Sequence, residues 1–85
     1  MNILITGCAG FIGYSFAAKI LKTNKNIKVI GIDNLNNFYS IKLKKKRLLE
    51  VKNFKNFKFY KVDLLNKKSL DNIFKKNKID IIFNF

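Results

Sequence analysis

Thr6-Gly7-Cys8-Ala9-Gly10-Phe11-Ile12-Gly13 is the stretch that decides the fold. Before it stands a compact apolar run, Asn2–Thr6 (NILIT), stopped by Gly7. That is the profile of a buried parallel strand. After it, from Phe11 to about Lys22, Ile12, Phe16 and Ile20 recur at helical spacing with Lys19 and Lys22 off that line. This segment reads as an amphipathic helix with Ile12, Phe16 and Ile20 on its inner face. Each glycine between the two has a physical reason. Gly7 lets the chain turn sharply off the strand, and Gly10, lacking a Cβ, leaves its backbone open to close approach. Gly13, one turn into the helix, lets that helix lie close to the strand.

The same alternation continues outward. Residues 23–26 are a polar turn, and residues 28–32 (KVIGI) form a second short buried strand closed by Asp33. An Asn-rich loop follows over 34–40, where Asn side chains satisfy nearby backbone groups. Residues 41–51 return to helical spacing, with Leu43, Arg47 and Glu50 on one side and Ile41, Leu48 and Leu49 near the other. Residues 58–62 are a third strand ending at Asp63. Asn66 caps a helix through Lys76 whose buried stripe is Leu70, Ile73 and Phe74. Residues 79–85 (IDIIFNF) are a fourth apolar run. Parallel neighbours need helical crossovers, so the fold class is α/β. The expectation is a partial Rossmann-like, doubly wound parallel sheet of four strands and three helices in the order 3-2-1-4. Its fourth strand would be a bare apolar edge, as in a truncated sheet. No repeat or Gly/Ser-rich linker divides residues 1–85.

The three glycines have the spacing G-x-x-G-x-x-G at a strand-to-helix turn, and Asp33 lies twenty residues beyond Gly13 at the end of the second strand. Together these point to a dinucleotide. The helix N-terminus offers unpaired N–H groups and a positive dipole end to a diphosphate. The Asp33 carboxylate can accept from both hydroxyls of the adenine ribose and would repel a 2′-phosphate, and no basic residue follows within the next few positions. NAD is therefore expected rather than NADP. Asp63, ending the third strand, is expected at the same rim near the adenine.

These residues carry a resemblance. TGCAGFIG resembles the T-G-x-x-G-F-I-G signature of the extended short-chain dehydrogenases/reductases, specifically their nucleotide-sugar epimerases and dehydratases. Gly31-Ile32-Asp33-Asn34-Leu35-Asn36-Asn37-Phe38-Tyr39, with Leu43 and Lys46-Arg47-Leu48 after it, resembles the G-I-D-N-L-N-x-Y-Y stretch and following helix of the UDP-glucuronate 4-epimerases. FKFYKVDLLN is similar to the third strand with its Asp-Leu pair. The resemblance implies backbone of Gly10, Phe11 and Ile12 at the diphosphate, Asp33 and Asn34 on the adenine ribose, and Asp63 and Leu64 flanking adenine. It also implies that Phe85, ending the fourth strand, reaches the cofactor. Cys8 stands where Ala or Gly is usual and reads as a small neutral filler; Asn84 stands where His is usual. Catalysis in this family needs Tyr-x-x-x-Lys, in which the Lys lowers the pKa of the Tyr that removes a hydroxyl proton. Tyr14, Tyr39 and Tyr60 are followed four residues on by Ala18, Leu43 and Leu64. Residues 1–85 thus resemble the N-terminal part of an NAD-binding domain, with catalytic and sugar-binding parts absent and no catalytic residue assigned. A nucleotide sugar is expected only with the complete enzyme, for which a homodimer is plausible by resemblance. A dehydratase acting on a nucleotide-hexose is the alternative reading.

Composition excludes other classes. The chain has 85 residues, of which 48% are hydrophobic, so it is not disordered by composition. A domain of this size buries roughly 60–65% of its unfolded surface. One Cys and no His exclude an internal disulfide and a Cys/His metal site. No run of 18 apolar residues exists to span a membrane. The first twenty residues imitate a secretion signal, yet no Lys or Arg precedes the apolar stretch and Ile3-Leu4-Ile5 is too short. The chain reads as cytoplasmic. Its net charge of +13 suggests nucleic acid at first sight. The lysines, however, are spread over every helix and most turns, and the densest cluster, Lys44-Lys45-Lys46-Arg47, falls on the second helix's expected outer face. Phe54, Phe57 and Phe59 alternate with lysines, as a stacking platform would, but strand packing explains them. A solvated face is expected, with no specific nucleic-acid partner; the competing reading is a small basic nucleic-acid-binding protein.

Overall fold

The computed structural model describes residues 1–35 and 41–85. Residues 36–40 of the Asn-rich loop, including the Tyr39 end of the resemblance, lie outside the described residues. Seven elements alternate: β1 (Asn2–Thr6), α1 (Phe11–Thr23), β2 (Lys28–Asp33), α2 (Ile41–Lys52), β3 (Phe57–Lys61), α3 (Lys67–Lys76) and β4 (Ile81–Asn84). The four strands are parallel and ordered β3-β2-β1-β4. The direction of winding reverses between β1 and β4, as the α/β expectation required.

Side-chain alternation along each strand divides the core into two layers. On one face Ile3, Ile5 and Val29 pack with Cys8, Ala17, Ala18 and Leu21 from the α1 side and with Leu48 and Val51 of α2. On the other, Leu4, Ile30 and Ile32 pack with Ile73 of α3. Gly31 faces α1 and α2, where a Cβ would come within 2.7 Å of Cys8 Sγ and 3.0 Å of the Phe57 ring. Phe54, Phe57 and Phe59 are half-buried against this larger core, which is the strand-packing role expected of them.

The helices keep their expected spans, but α1 and α2 turn different stripes inward and α3 keeps only part of its own. In α1 the buried residues are Gly13, Ala17, Ala18 and Leu21; Ile12 is exposed, and Phe16 and Ile20 are only half-buried. Small residues face the sheet because α1 starts in contact with the loop after β1: a Cβ on Gly13 would lie 2.3 Å from the Gly7 carbonyl oxygen. In α2, Lys44, Leu48 and Val51 are buried at helical spacing while Leu43 and Leu49 are exposed. Lys44 is therefore not part of an outer face, and Arg47 is half-buried; Lys45 and Lys46 are exposed. In α3, Ile73 is buried, Leu70 half-buried and Phe74 exposed. Asn66 caps α3 as expected, its side-chain oxygen accepting the Ser69 N–H at 3.2 Å. On β4, Ile81 and Ile82 are exposed, as is Phe85 just after it, as expected for an apolar edge. Ile79 and Phe83 instead pack half-buried against the two cores, Phe83 with its ring 4.7 Å from that of Phe16.

Candidate functional site

The C-terminal ends of all four strands converge on one cavity of about 290 Å³. Gly7 follows β1, Ile32, Asp33 and Asn34 end β2, and Phe85 follows β4; Val62, Asp63 and Leu64 follow β3, and Lys44 reaches in from α2. Sequence-expected residues Gly7, Asp33, Asn34, Asp63, Leu64 and Phe85 are thus brought together around one space. Gly10, Phe11, Ile12 and Gly13 do not line it; they form the loop end and first turn of α1 beside it.

The glycine loop is tightly determined. Gly7 has φ +67°, a left-handed conformation that L side chains rarely adopt, and a Cβ there would stand 2.8 Å from the Phe85 carbonyl oxygen. The amides of Cys8, Ala9 and Gly10 are taken within the protein. The Cys8 N–H donates to the Ile32 carbonyl at 3.2 Å, the Ala9 N–H to Asp33 Oδ2 at 3.0 Å, and the Gly10 N–H to the Gly7 carbonyl at 3.1 Å. The Gly10 N–H is thus not among the donors open to a ligand, while the expected close approach to its backbone rests on the missing Cβ. The donors the terminus offers an anion are those of the first helical turn, which have no intrahelical acceptor, and α1 has neither a side-chain cap nor an acidic residue there.

Asp33 is buried, and its carboxylate organises the rim. Oδ2 accepts from Ala9, and Oδ1 accepts from the Leu35 N–H at 2.7 Å. Oδ1 also lies 3.5 Å from Lys44 Nζ. Each oxygen keeps acceptor capacity beyond these contacts. The second hydrogen bond holds Leu35 at φ +56°, a left-handed conformation for a branched residue at the site's edge. The cation absent from the positions just after Asp33 arrives from α2. Burying a lysine is costly unless it is paired, and Asp33 supplies the pair. Lys44 is the site residue that sequence reasoning missed. Its signal was present: Lys44, Leu48 and Val51 share one helical stripe.

The Asp63 side chain turns back on its own loop, Oδ1 accepting the Leu65 N–H at 2.9 Å. Cys8 is buried, and burial foremost, then the Asp33 carboxylate, pushes its thiol far above the ordinary value. That suits a filler rather than a nucleophile. Asn84, on β4, accepts a short hydrogen bond from the Thr6 hydroxyl and so ties β4 to β1 at the cavity's end.

Comparison with known proteins agrees with this geometry. Residues 4–85 match a protein-family model described as GDP-mannose 4,6 dehydratase. The chain is 43% identical over 81 residues to a UDP-glucuronate 4-epimerase of Thermodesulfobacterium geofontis, covering 95% of this chain and 24% of that protein. It is 45% identical over 83 residues to a dTDP-D-glucose 4,6-dehydratase of Dictyostelium discoideum, covering 98% of this chain and 18% of the relative. The crystal structure of a UDP-glucuronic acid 4-epimerase from Bacillus cereus in complex with UDP-glucuronic acid and NAD superimposes with a TM-score of 0.89 at 32% identity. It matches 100% of this chain and 26% of that one. The chain therefore spans about a quarter or less of the length of these relatives. A glycine loop between β1 and α1, an acidic end to β2 and this breadth of similarity lead to one conclusion: the chain belongs to the GDP-mannose 4,6 dehydratase family, among the NAD-dependent nucleotide-sugar epimerases and dehydratases.

Proposed function

We propose that this chain is the NAD-binding segment of a nucleotide-sugar 4-epimerase of the UDP-glucuronate/UDP-galacturonate type. The observation that carries the reading is the buried Asp33 carboxylate at the end of β2, closing a cavity whose opposite wall accepts only glycine at position 7. That cradle suits a dinucleotide: Asp33 and Asn34 hold the adenine ribose, Asp63 and Leu64 flank the adenine, and Phe85 closes the far side. The first-turn amides at Phe11 and Ile12 face the diphosphate. Bound NAD supplies a hydride acceptor and donor; the residues of this chain bind and orient it. None is assigned a catalytic role. The same reading places the protein in the cytoplasm, as a homodimer in its complete form, with small molecules rather than nucleic acid or membrane as partners.

The test is titration of the chain with NAD and NADP by calorimetry. NAD binds more tightly, because a 2′-phosphate would face Asp33. Asp33→Ala weakens NAD binding by about 1–3 kcal/mol, the size of a lost hydrogen bond to a charged group. Tighter binding of NADP than of NAD by the unaltered chain would overturn the assignment.

A second reading, 4,6-dehydration of a nucleotide-hexose, is favoured by the 45% identity to the Dictyostelium dehydratase. Supplying the complete protein with UDP-glucuronate and, separately, dTDP-glucose distinguishes the two. The epimerase yields UDP-galacturonate from the first; a dehydratase yields a 4-keto-6-deoxy sugar from the second.

A further inference from the structure

Helix α2 sends two cations toward the glycine loop, and only one of them lines the cavity. Lys44 pairs with Asp33. One turn on, Arg47 Nη1 donates to the Ala9 carbonyl at 3.1 Å, across 38 positions of sequence, and the guanidinium carbon lies 5.8 Å from the centre of the Phe11 ring. A further turn on, Glu50 accepts a short hydrogen bond from the Tyr14 hydroxyl of α1. Residues 44, 47 and 50 thus form a polar stripe that fastens α2 in turn to the end of β2, the glycine loop and α1.

We propose that Arg47 is a positioning residue for cofactor binding. It holds the Ala9–Gly10 peptide so that the first turn of α1 keeps its free amides aimed at the cofactor's diphosphate. The proposal rests on the NAD reading above. Ala9 is gripped at both polar atoms, its N–H by Asp33 and its carbonyl by Arg47. The peptide that Arg47 holds leads directly into Gly10, the residue preceding α1, whose carbonyl accepts the Tyr14 N–H at 2.9 Å. A rotation of that peptide would redirect the helix terminus. An arginine suits the task, because its planar fork reaches a carbonyl while its face rests on Phe11. A lysine keeps the charge but not that double engagement.

The experiment uses the unaltered chain, Arg47→Ala and Arg47→Lys, with adenosine, ADP and NAD as ligands. Both substitutions are expected to weaken ADP and NAD at least fivefold, the Ala variant more, while adenosine affinity stays within twofold. In the ligand-free chain, both move the Gly10 and Phe11 amide resonances and quicken their hydrogen exchange, leaving Val29 and Ile30 in β2 unchanged. Equal weakening of all three ligands, no weakening, or full recovery by Arg47→Lys with unmoved Gly10 and Phe11 amides would overturn the proposal. Failure of the unaltered chain to bind ADP or NAD would instead overturn the NAD reading. The ligand-free amide measurement then decides by itself whether Arg47 positions the loop.

Discussion

The two faces of the sheet are built to different standards. On one, α1 and α2 lie close to each other and to the strands, and Leu21, Val29 and Ile5 are fully enclosed. On the other, Leu4, Ile30 and Ile32 of the strands are just as enclosed, but α3 stands farther off, Ile73 is its one buried residue among those described, and Ile82 of β4 is half exposed. The difference follows from what each face does. The α1/α2 face carries the glycine loop and the Asp33 network, so its packing sets the position of ligand-facing groups. The α3 face meets the rim through Ile32 and through the connection at residues 62–65. The helices are held tightly where geometry has to be kept, and five substitutions test that division.

The largest effect is expected from Leu21→Ala, which empties a fully enclosed position on α1 and should cost about 2–5 kcal/mol. Phe74→Ala on α3, where the ring is already 43% exposed, should cost under about 1 kcal/mol. Urea unfolding of both variants measures the contrast. Equal losses would show that the two faces contribute alike. Gly13→Ala comes next, at about 3 kcal/mol, because the new methyl meets the Gly7 carbonyl and backbone atoms cannot swing aside. Alanine is the better helix former, so a stabilised variant would mean that α1 can lift off the loop at little cost. A fourth substitution, Asn66→Ala, removes the side-chain acceptor at the start of α3 and should cost about 1 kcal/mol. If α3 is as weakly anchored as its packing implies, amide exchange should quicken along residues 67–76 and leave α1 unaffected.

The same contrast explains how far the sequence could be read. The bounds of β1 and the existence of all seven elements were legible, because apolar runs stopped by Gly7, Asp33 and Asp63 have few alternatives. The alternation of strands and helices gave a parallel α/β sheet, and the strand order came from the Rossmann-like reading of the glycine loop and the resemblance built on it. Strand edges were less so: β3 begins one residue earlier than its apolar pattern suggests, and β4 is the shorter span Ile81–Asn84. The inward stripes of the helices were least legible. Hydrophobicity nominated Ile12, Phe16 and Ile20 on α1, but contact at Gly13 draws the backbone so near the loop that only Ala17 and Ala18 fit beside it. On α2 the residue facing the site is a lysine, which no scale of burial selects. Lys44 is inside because Asp33 is inside, and that pairing becomes visible only when two distant segments meet. Six of the expected site residues line one cavity for the opposite reason. Each ends or follows a strand, and parallel order alone brings those ends together.

Within the tightly packed face, the smallest effect at neutral pH should come from Cys8→Ala. The thiol is buried against Gly31, so its removal leaves a small void worth about 1 kcal/mol. Its pH dependence is more telling. In the fold, burial and the Asp33 carboxylate keep the thiol protonated far above its ordinary value. In the unfolded chain it ionises near about 8.5. Above that pH the unfolded state binds fewer protons than the folded one, so this group's contribution to stability falls as pH rises. The loss is up to about 1.4 kcal/mol per pH unit. Cys8→Ala has no thiol to ionise and escapes this loss. Unfolding midpoints of the two proteins at pH 7, 8.5 and 10 should therefore show the parent ahead at pH 7, with the gap closing and then reversing. A gap that stays constant across that range would mean the thiol ionises as readily inside the fold as outside it, and that the α1/α2 face is not sealed at Cys8.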